Sequence, residues 1–259
     1  MFGKKPGKVE NYYSEVIERD GAMLFSLIDP DKTSYEKGAK MAKLSCEAGA
    51  DAILVGGSIG AQGELLDQTV KLMKENVNIP VVLFPGNISG LTKYADAAYM
   101  MYMLNSRDVY WISTAQIQAA PIVERLGLEA IPTSYLVLEP GRAVGWIGNA
   151  NLLPRSRPDL AYACGLASKH MGAHVVITDS GSGAPEPAPL EIISAVAKAC
   201  NGEVFYSYGG GVQSDKQATA IIKAGAHAIQ IGTAFEKGDI AKKISTISRA
   251  IKKEGKKRV

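Results

Sequence analysis

Eight short apolar runs, rich in Val, Ile and Leu, recur along the chain and alternate with longer stretches whose apolar positions follow a helical period. The runs are Met23 to Ile28, Ala52 to Val55, Val81 to Phe84, Ala98 to Leu104, Ile131 to Leu138, His174 to Thr178, Val204 to Ser207 and Ala228 to Ile231. They are nearly continuous in apolar residues instead of alternating, which predicts parallel strands covered on both faces. The segments between them predict amphipathic helices over Tyr35 to Ala48, Glu64 to Glu75, Tyr110 to Leu126, Pro158 to Met171, Pro189 to Cys200, Ser214 to Ala224 and Ile240 to Lys253. Between Pro85 and Tyr99, the residues Gly86, Asn87, Ser89 and Gly90 leave room for a loop or a stub of helix. Ser214 or Asp215 is placed to cap one helix and Gly225 to end it, while Gly49 and Gly172 close two others just before a strand.

Eight strand–helix units in 259 residues average about 32 residues each, the size of a (β/α)8 TIM barrel. A doubly wound open sheet is the structural alternative. Nothing resembling a linker or low-complexity insert divides the chain. The expectation is one domain over residues 1–259, with residues 1–20 as an N-terminal helix or lid and residues 240–259 as a C-terminal helix with a basic tail.

Composition narrows the class. Hydrophobic residues make up 46% and charged residues 21%, values of a globular protein with a sizeable core, not of a disordered or collagen-like chain. The formal net charge of +3 invites a polyanion partner, but its location matters. Lys252, Lys253, Lys256, Lys257 and Arg258 stand against Glu254 in a tail of net +4, so the rest of the chain sums to about −1. The tail reads as a solvated helix end, and no aromatic interleaving points to nucleic acid. Three separated cysteines without a CxxC pair argue for a reducing cytoplasm. Neither a signal-type apolar segment after Met1 nor a run near the ~20 residues of a membrane span is evident, so export and insertion are not expected.

In a barrel the chemistry lies at the carboxyl ends of the strands. After the seventh strand comes Tyr208-Gly209-Gly210-Gly211-Val212, and the eighth ends in Gly232-Thr233-Ala234. Glycine-rich turns alone are common, but their pairing on these two strands, one leading into a helix N-terminus, points to a phosphate site. After the first strand, Asp29-Pro30-Asp31-Lys32 offers carboxylates for Mg2+, or merely an N-cap and turn. Gly56-Gly57-Ser58 ends the second and adds a hydroxyl. The sixth runs into Asp179-Ser180-Gly181-Ser182-Gly183-Ala184-Pro185-Glu186-Pro187, where Asp179 suits a general base or a loop cap. Glu139 after the fifth strand is either a polar contact or an internal ion pair, and Trp146, Asn149 and Asn151 follow in a long loop suited to polar contacts or a lid. His170 and His174 are four apart, but Gly172 between them breaks the helical face a metal pair would need, and His227 falls at the wrong end of the barrel.

These segments, in order from about Met23 to Gly238, closely resemble the geranylgeranylglyceryl phosphate synthase family of archaea, with heptaprenylglyceryl phosphate synthase relatives in bacteria. The resemblance implies a Mg2+-dependent prenyltransferase of archaeal ether-lipid biosynthesis. It would join the geranylgeranyl group of its diphosphate to the 3-hydroxyl of sn-glycerol 1-phosphate. By resemblance Asp29 and Ser58 would bind Mg2+. Ile177, Thr178, Asp179, Ser180, Gly181, Ser182 and Gly183, with Gly210, Gly211, Gly232 and Thr233, would hold glycerol phosphate, and Asp179 would be the base. The apolar chain requires a groove, for which Tyr99, Met101, Met103 and Tyr135 are candidates alongside ordinary core packing. The resemblance also implies a homo-oligomer, with Trp111, Ile112 and Ile117 as interface or barrel packing, and the basic tail suits peripheral membrane proximity.

The chain departs from the family pattern at one point. Family members commonly carry Tyr-Leu-Glu or similar where this chain has Ile177-Thr178-Asp179. Asp179 is one methylene shorter than Glu and Ile177 offers no hydroxyl, so either a water or Thr178 compensates or activity is reduced. A barrel isomerase or lyase on a small sugar phosphate, or a catalytically weakened phosphometabolite-binding barrel, are the alternatives.

Overall fold

The apolar runs pair in chain order, all parallel, and close on themselves. The strands are β1 (Met23–Ile28), β2 (Ala52–Val55), β3 (Val81–Leu83), β4 (Ala97–Met103), β5 (Glu129–Val137), β6 (Val175–Asp179), β7 (Phe205–Gly209) and β8 (Ala228–Ile231). Pairing of Met23 with Ala228 through Ser26 with Ile231 seals β1 to β8, which excludes the open sheet. The computed structural model describes residues 5–57, 59–232 and 239–259. Around the barrel lie α1 (Lys8–Asp20), α2 (Tyr35–Glu47), α3 (Gly63–Asn76), α4 (Ala115–Leu126), α5 (Arg142–Ile147), α6 (Pro158–His170), α7 (Leu190–Cys200), α8 (Asp215–Lys223) and α9 (Ile240–Gly255). The segment after β3 is a loop, the first of the two forms that its Gly, Asn and Ser residues allow. A single π-helical turn, Tyr110–Thr114, leads into α4.

Alternate strand residues point in opposite directions, as the pleat requires. Phe25, Leu54, Tyr99, Ile131 and Ile177 fill the barrel. Leu24, Val176, Tyr206, Tyr208 and Ile229 meet the surrounding helices. Fully burying such a side chain contributes about 1.5–3 kcal/mol, which is why strands buried on both faces read as continuous apolar runs. Helix starts follow their caps: Ser214 Oγ accepts from Gln217 N at 3.3 Å, and Asp239 Oδ1 from Lys242 N at 3.0 Å. Gly225, at φ +120, ends the α8 segment in a conformation that penalises any Cβ.

The amino-terminal end of the barrel is closed by α1. Its Tyr13 ring packs on Phe25 and Phe205 with centroids 5.2 Å apart in each case. Glu129, at the start of β5, accepts from Val9 N at 2.7 Å and Glu10 N at 3.0 Å, filling the open donors of the helix's first turn. Glu10 in turn meets His174 Nδ1 at 2.5 Å. The segment anticipated as a helix or lid is therefore a plug at the end opposite the chemistry.

The basic tail corrects another expectation. Lys252 pairs with buried Asp51 at 2.6 Å, Lys257 with Glu254 at 2.6 Å, and Arg258 Nη1 donates to Ala226 O at 2.9 Å. Lys256 reaches the Arg19 carbonyl. The contacts of Lys252, Lys256 and Arg258 tie α9 to the plugged end, so the tail is not simply a solvated helix end. None of the described helices is long and apolar enough to cross a membrane.

Candidate active site

Polar side chains begin where the strands end, and Asp179 stands at the centre of them. It is the last residue of β6, points inward and is 8% exposed. Asp179 Oδ1 accepts from Gly181 N at 2.6 Å; Oδ2 accepts from Tyr135 OH at 3.0 Å and Gln230 Nε2 at 3.4 Å. Burial pushes its pKa above the ordinary carboxylate value, while those three donors pull it back. A carboxylate shifted upward by burial is a stronger proton acceptor than a free one, and the donors fix its orientation.

Asp179 and Gly209 were expected in loops, yet both remain in strands because parallel pairing continues through them. Asp179 pairs with Gly209 and Gly209 with Gln230, which places the three in one layer across β6, β7 and β8. A Cβ on Gly209 would stand 2.7 Å from Gln230 Nε2 and 3.1 Å from Asp179 Oδ2. The glycine is thus the gap through which the two polar side chains meet.

Two cavities converge on Asp179. One, of about 490 Å3, is the more polar of the two; Ser182, Gly183, Gly209, Gly210, Gly211, Gln213, Gln230, Gly232 and Lys243 line it together with apolar residues such as Val212 and Ile231. Gly210 and Gly211 take φ +90 and +73, and a Cβ on Gly210 would lie 2.8 Å from Ser180 N. This bend opens backbone toward the cavity directly ahead of α8, whose N-terminal dipole favours an anion. Gly181, at φ +89, packs on the start of α5, where a Cβ would lie 2.6 Å from Gly141 O.

The second cavity is apolar and runs between β3, β4, β5 and α4. Tyr99, Met101, Met103 and Tyr135 all line it, with Phe84, Leu91, Trp111, Ala119, Val144 and Ile147. The Phe84 ring stands edge-on to Tyr99 and to Tyr135, at 5.9 and 5.6 Å between centroids. Leu27, Asp29, Asp179 and Ser182 border both cavities.

At β1, Asp29 Oδ2 pairs with Lys32 Nζ at 2.6 Å. A Cβ on Gly56 would approach Asp29 Oδ1 to 2.7 Å, and one on Gly57 would approach Asp31 Oδ1 to 3.3 Å, so two carboxylates flank the bend after β2. Ser58 and Thr233 lie outside the described residues. Among the described residues no cluster of three His, Cys, Asp or Glu can hold a metal. Asp29 and Asp31 are hard oxygen donors of the class Mg2+ takes, with one Asp29 oxygen engaged by Lys32.

Several expected residues turn elsewhere. Thr178 Oγ1 lies 2.7 Å from Tyr206 OH and Ser180 Oγ 3.2 Å from Tyr208 OH, both buried on the helix-facing side of the sheet. The period of two that sends Asp179 inward sends these two outward, so only their backbone reaches the mouth and Thr178 cannot stand in for a missing hydroxyl. Ile177 points inward but is fully buried below Asp179. Glu139 Oε2 accepts from Arg155 N at 3.0 Å, a loop clasp and not an internal ion pair. The loop after it forms α5, whose Ala143, Val144 and Ile147 wall the apolar cavity. Asn151 is bound to Asn105 and Arg107, and Trp146 is 86% exposed. Trp111 lines the apolar cavity while Ile117 is 71% exposed. His227 Nδ1 accepts from Tyr206 N at 2.9 Å, and burial lowers its pKa to about 4, a structural role at the plugged end.

Three residues here escaped the sequence reading: Gln230, Lys243 and Tyr135 as a donor to Asp179. Gln230 had a signal, as the one amide within an apolar run. Lys243 had none, since only the fold brings the first turns of α9 beside the glycine loops.

A family profile described as the PcrB family matches residues 15–251. A protein of Thermococcus kodakarensis called geranylgeranylglyceryl phosphate synthase is 46% identical over 252 residues, covering 96% of this chain and 99% of that one. Its namesake in Methanosarcina acetivorans is 45% identical, covering 95% and 99%. Among solved structures, (S)-3-O-geranylgeranylglyceryl phosphate synthase from Thermoplasma acidophilum, in complex with its substrate sn-glycerol-1-phosphate, superposes with a TM-score of 0.90 at 29% identity, covering 96% of this chain and 100% of that one. Thiamine phosphate pyrophosphorylase from Pyrococcus furiosus, at 13% identity and a TM-score of 0.59, shares the fold alone.

Proposed function

The chain belongs to the PcrB family, and on that footing we propose that it is a prenyltransferase joining the geranylgeranyl group of geranylgeranyl diphosphate to the 3-hydroxyl of sn-glycerol 1-phosphate. The observation that carries this reading is the meeting of a glycine-lined, more polar cavity and an apolar, aromatic-lined one at the buried carboxylate of Asp179, with Asp29 also on their shared border. A small sugar phosphate would leave the apolar cavity without purpose.

In this reading Gly210, Gly211, Gly232 and Lys243 receive the phosphate of the acceptor, and its 3-hydroxyl donates to Asp179. The prenyl chain lies against Phe84, Tyr99, Met101 and Met103, with its diphosphate near Asp29. The hydroxyl oxygen bonds to the allylic carbon as the carbon–oxygen bond to diphosphate breaks, and Asp179 takes the hydroxyl proton. Holding both reactants in line removes up to ~7–11 kcal/mol of barrier in well-oriented systems. Mg2+, held by Asp29 with Ser58 and Asp31 as neighbouring donors, would neutralise charge on the departing diphosphate.

The enzyme would act in the cytoplasm, meeting its lipid-like donor at the mouth of the barrel, and would assemble as a homo-oligomer, which sedimentation measures. The decisive assay incubates the protein and Mg2+ with labelled geranylgeranyl diphosphate and each glycerol phosphate enantiomer. A labelled ether is expected from sn-glycerol 1-phosphate and is lost with chelator. No ether from either enantiomer would refute the function, and activity undiminished by chelator would remove Mg2+ from it.

A further inference from the structure

The apolar run of β8 is interrupted by one amide. Gln230 turns into the barrel, is 3% exposed and borders the polar cavity. Its Nε2 donates to Asp179 Oδ2 at 3.4 Å. Its Oε1 is buried and has no hydrogen-bond partner among the described residues. The orientation of the amide follows from chemistry, because an ionised carboxylate only accepts and so draws the NH2 group toward itself. That leaves the carbonyl oxygen as an unpaired acceptor beside the base. A buried acceptor without a donor is costly, and native proteins retain such a group where something else supplies the donor.

We propose that Gln230 determines specificity for the acceptor substrate: its Oε1 accepts a hydrogen bond from the C2 hydroxyl of glycerol phosphate while the C3 hydroxyl donates to Asp179. The inference rests on the acceptor named above. The two hydroxyls of glycerol phosphate sit on adjacent carbons, and a carboxylate joined to an amide presents two neighbouring acceptors to match them. With the phosphate held among Gly210, Gly211 and Gly232, the C2 hydroxyl becomes the third fixed point around a stereocentre. The opposite enantiomer, anchored by its phosphate and its primary hydroxyl, directs its C2 hydroxyl away and leaves Gln230 Oε1 unpaired. Discrimination arising from an unpaired buried polar group exceeds what shape alone provides.

Calorimetric titration without prenyl donor tests this on the wild-type protein and on Gln230→Met, a near-isosteric replacement, with Gln230→Leu as a second apolar variant. The ligands are sn-glycerol 1-phosphate, its enantiomer, 3-hydroxypropyl phosphate, which lacks the C2 hydroxyl, and inorganic phosphate. Wild type is expected to bind sn-glycerol 1-phosphate at least tenfold more tightly than the enantiomer or 3-hydroxypropyl phosphate. In the variants both preferences should collapse to within about threefold, while inorganic phosphate binds as in wild type and reports an intact cradle. Two results would overturn the proposal: equal wild-type affinity for sn-glycerol 1-phosphate and 3-hydroxypropyl phosphate, or a wild-type preference retained in a variant that still binds inorganic phosphate. Because no prenyl donor is present, absence of ether synthesis would count against the function and leave this comparison to be decided by its own ratios.

Discussion

The Tyr135 phenol donates to Asp179 Oδ2 at 3.0 Å from the strand position paired with Ile177. A phenol hydroxyl thus reaches Asp179 from the neighbouring strand, while Ile177 carries none and the Thr178 hydroxyl lies against Tyr206. The same donor lowers the Asp179 pKa against the upward push of burial. Replacing Tyr135 by Phe removes it, so Asp179 should protonate at higher pH and the acidic limb of the kcat profile should move upward. Loss of one hydrogen bond to a charged group, about 1.5–3 kcal/mol, bounds the change at roughly one to two pH units. Rate against pH for both proteins checks this, and superimposable limbs would remove Tyr135 from the base's control.

Asp179→Asn should lower kcat by about 10²–10⁴-fold, the usual worth of a general base. Affinity for glycerol phosphate should change far less, since the phosphate cradle is untouched. Undiminished turnover in a rapid-quench experiment would exclude Asp179 as the base.

The same substitution carries a stability prediction of opposite sign. Burial raises the Asp179 pKa, so the folded state holds its proton more tightly than the unfolded chain. The stability it contributes is full below the ordinary carboxylate value and is lost as pH rises through the raised one. At neutral pH the ionised carboxylate is a net cost, and Asp179→Asn should raise the Tm there. The advantage should narrow on acidification, which thermal melts across pH 4 to 8 would show.

Gly210→Ala forces a Cβ to within 2.8 Å of Ser180 N at φ +90. The glycine loop must shift, and glycerol phosphate affinity should fall by tenfold or more while prenyl donor binding is retained. Equal affinity by calorimetry would show that the loop does not hold the phosphate.

Ala119, on α4, is buried at the wall of the apolar cavity. A Phe at that position occupies part of the groove and should raise KM for the twenty-carbon donor more than for a fifteen-carbon one. An unchanged ratio of kcat/KM across donor lengths would place the chain elsewhere.

The barrel was legible because strands buried on both faces leave continuous apolar runs, and β1, β2 and β8 begin and end where those runs do. The glycine loops were legible because backbone at φ near +80 selects glycine. Side-chain direction at β6 was obscured by reading Asp179 to Gly183 as loop; extending the strand period by two residues turns Thr178 and Ser180 outward. The placement of α1 and of the basic tail depends on what closes the far end of the barrel. An amphipathic helix declares an apolar face but not which surface receives it, so the Glu129 clasp on Val9 and Glu10 had no local trace.

Gly209 couples two positions that a catalogue of single substitutions would treat separately. Any side chain at 209 would separate Asp179 from Gln230, and so would be tolerated only alongside a smaller residue at one of the other two. The three strands thus impose epistasis: a descendant of this protein can change position 230 in one step, but changes at 209 must await a smaller residue at 179 or 230.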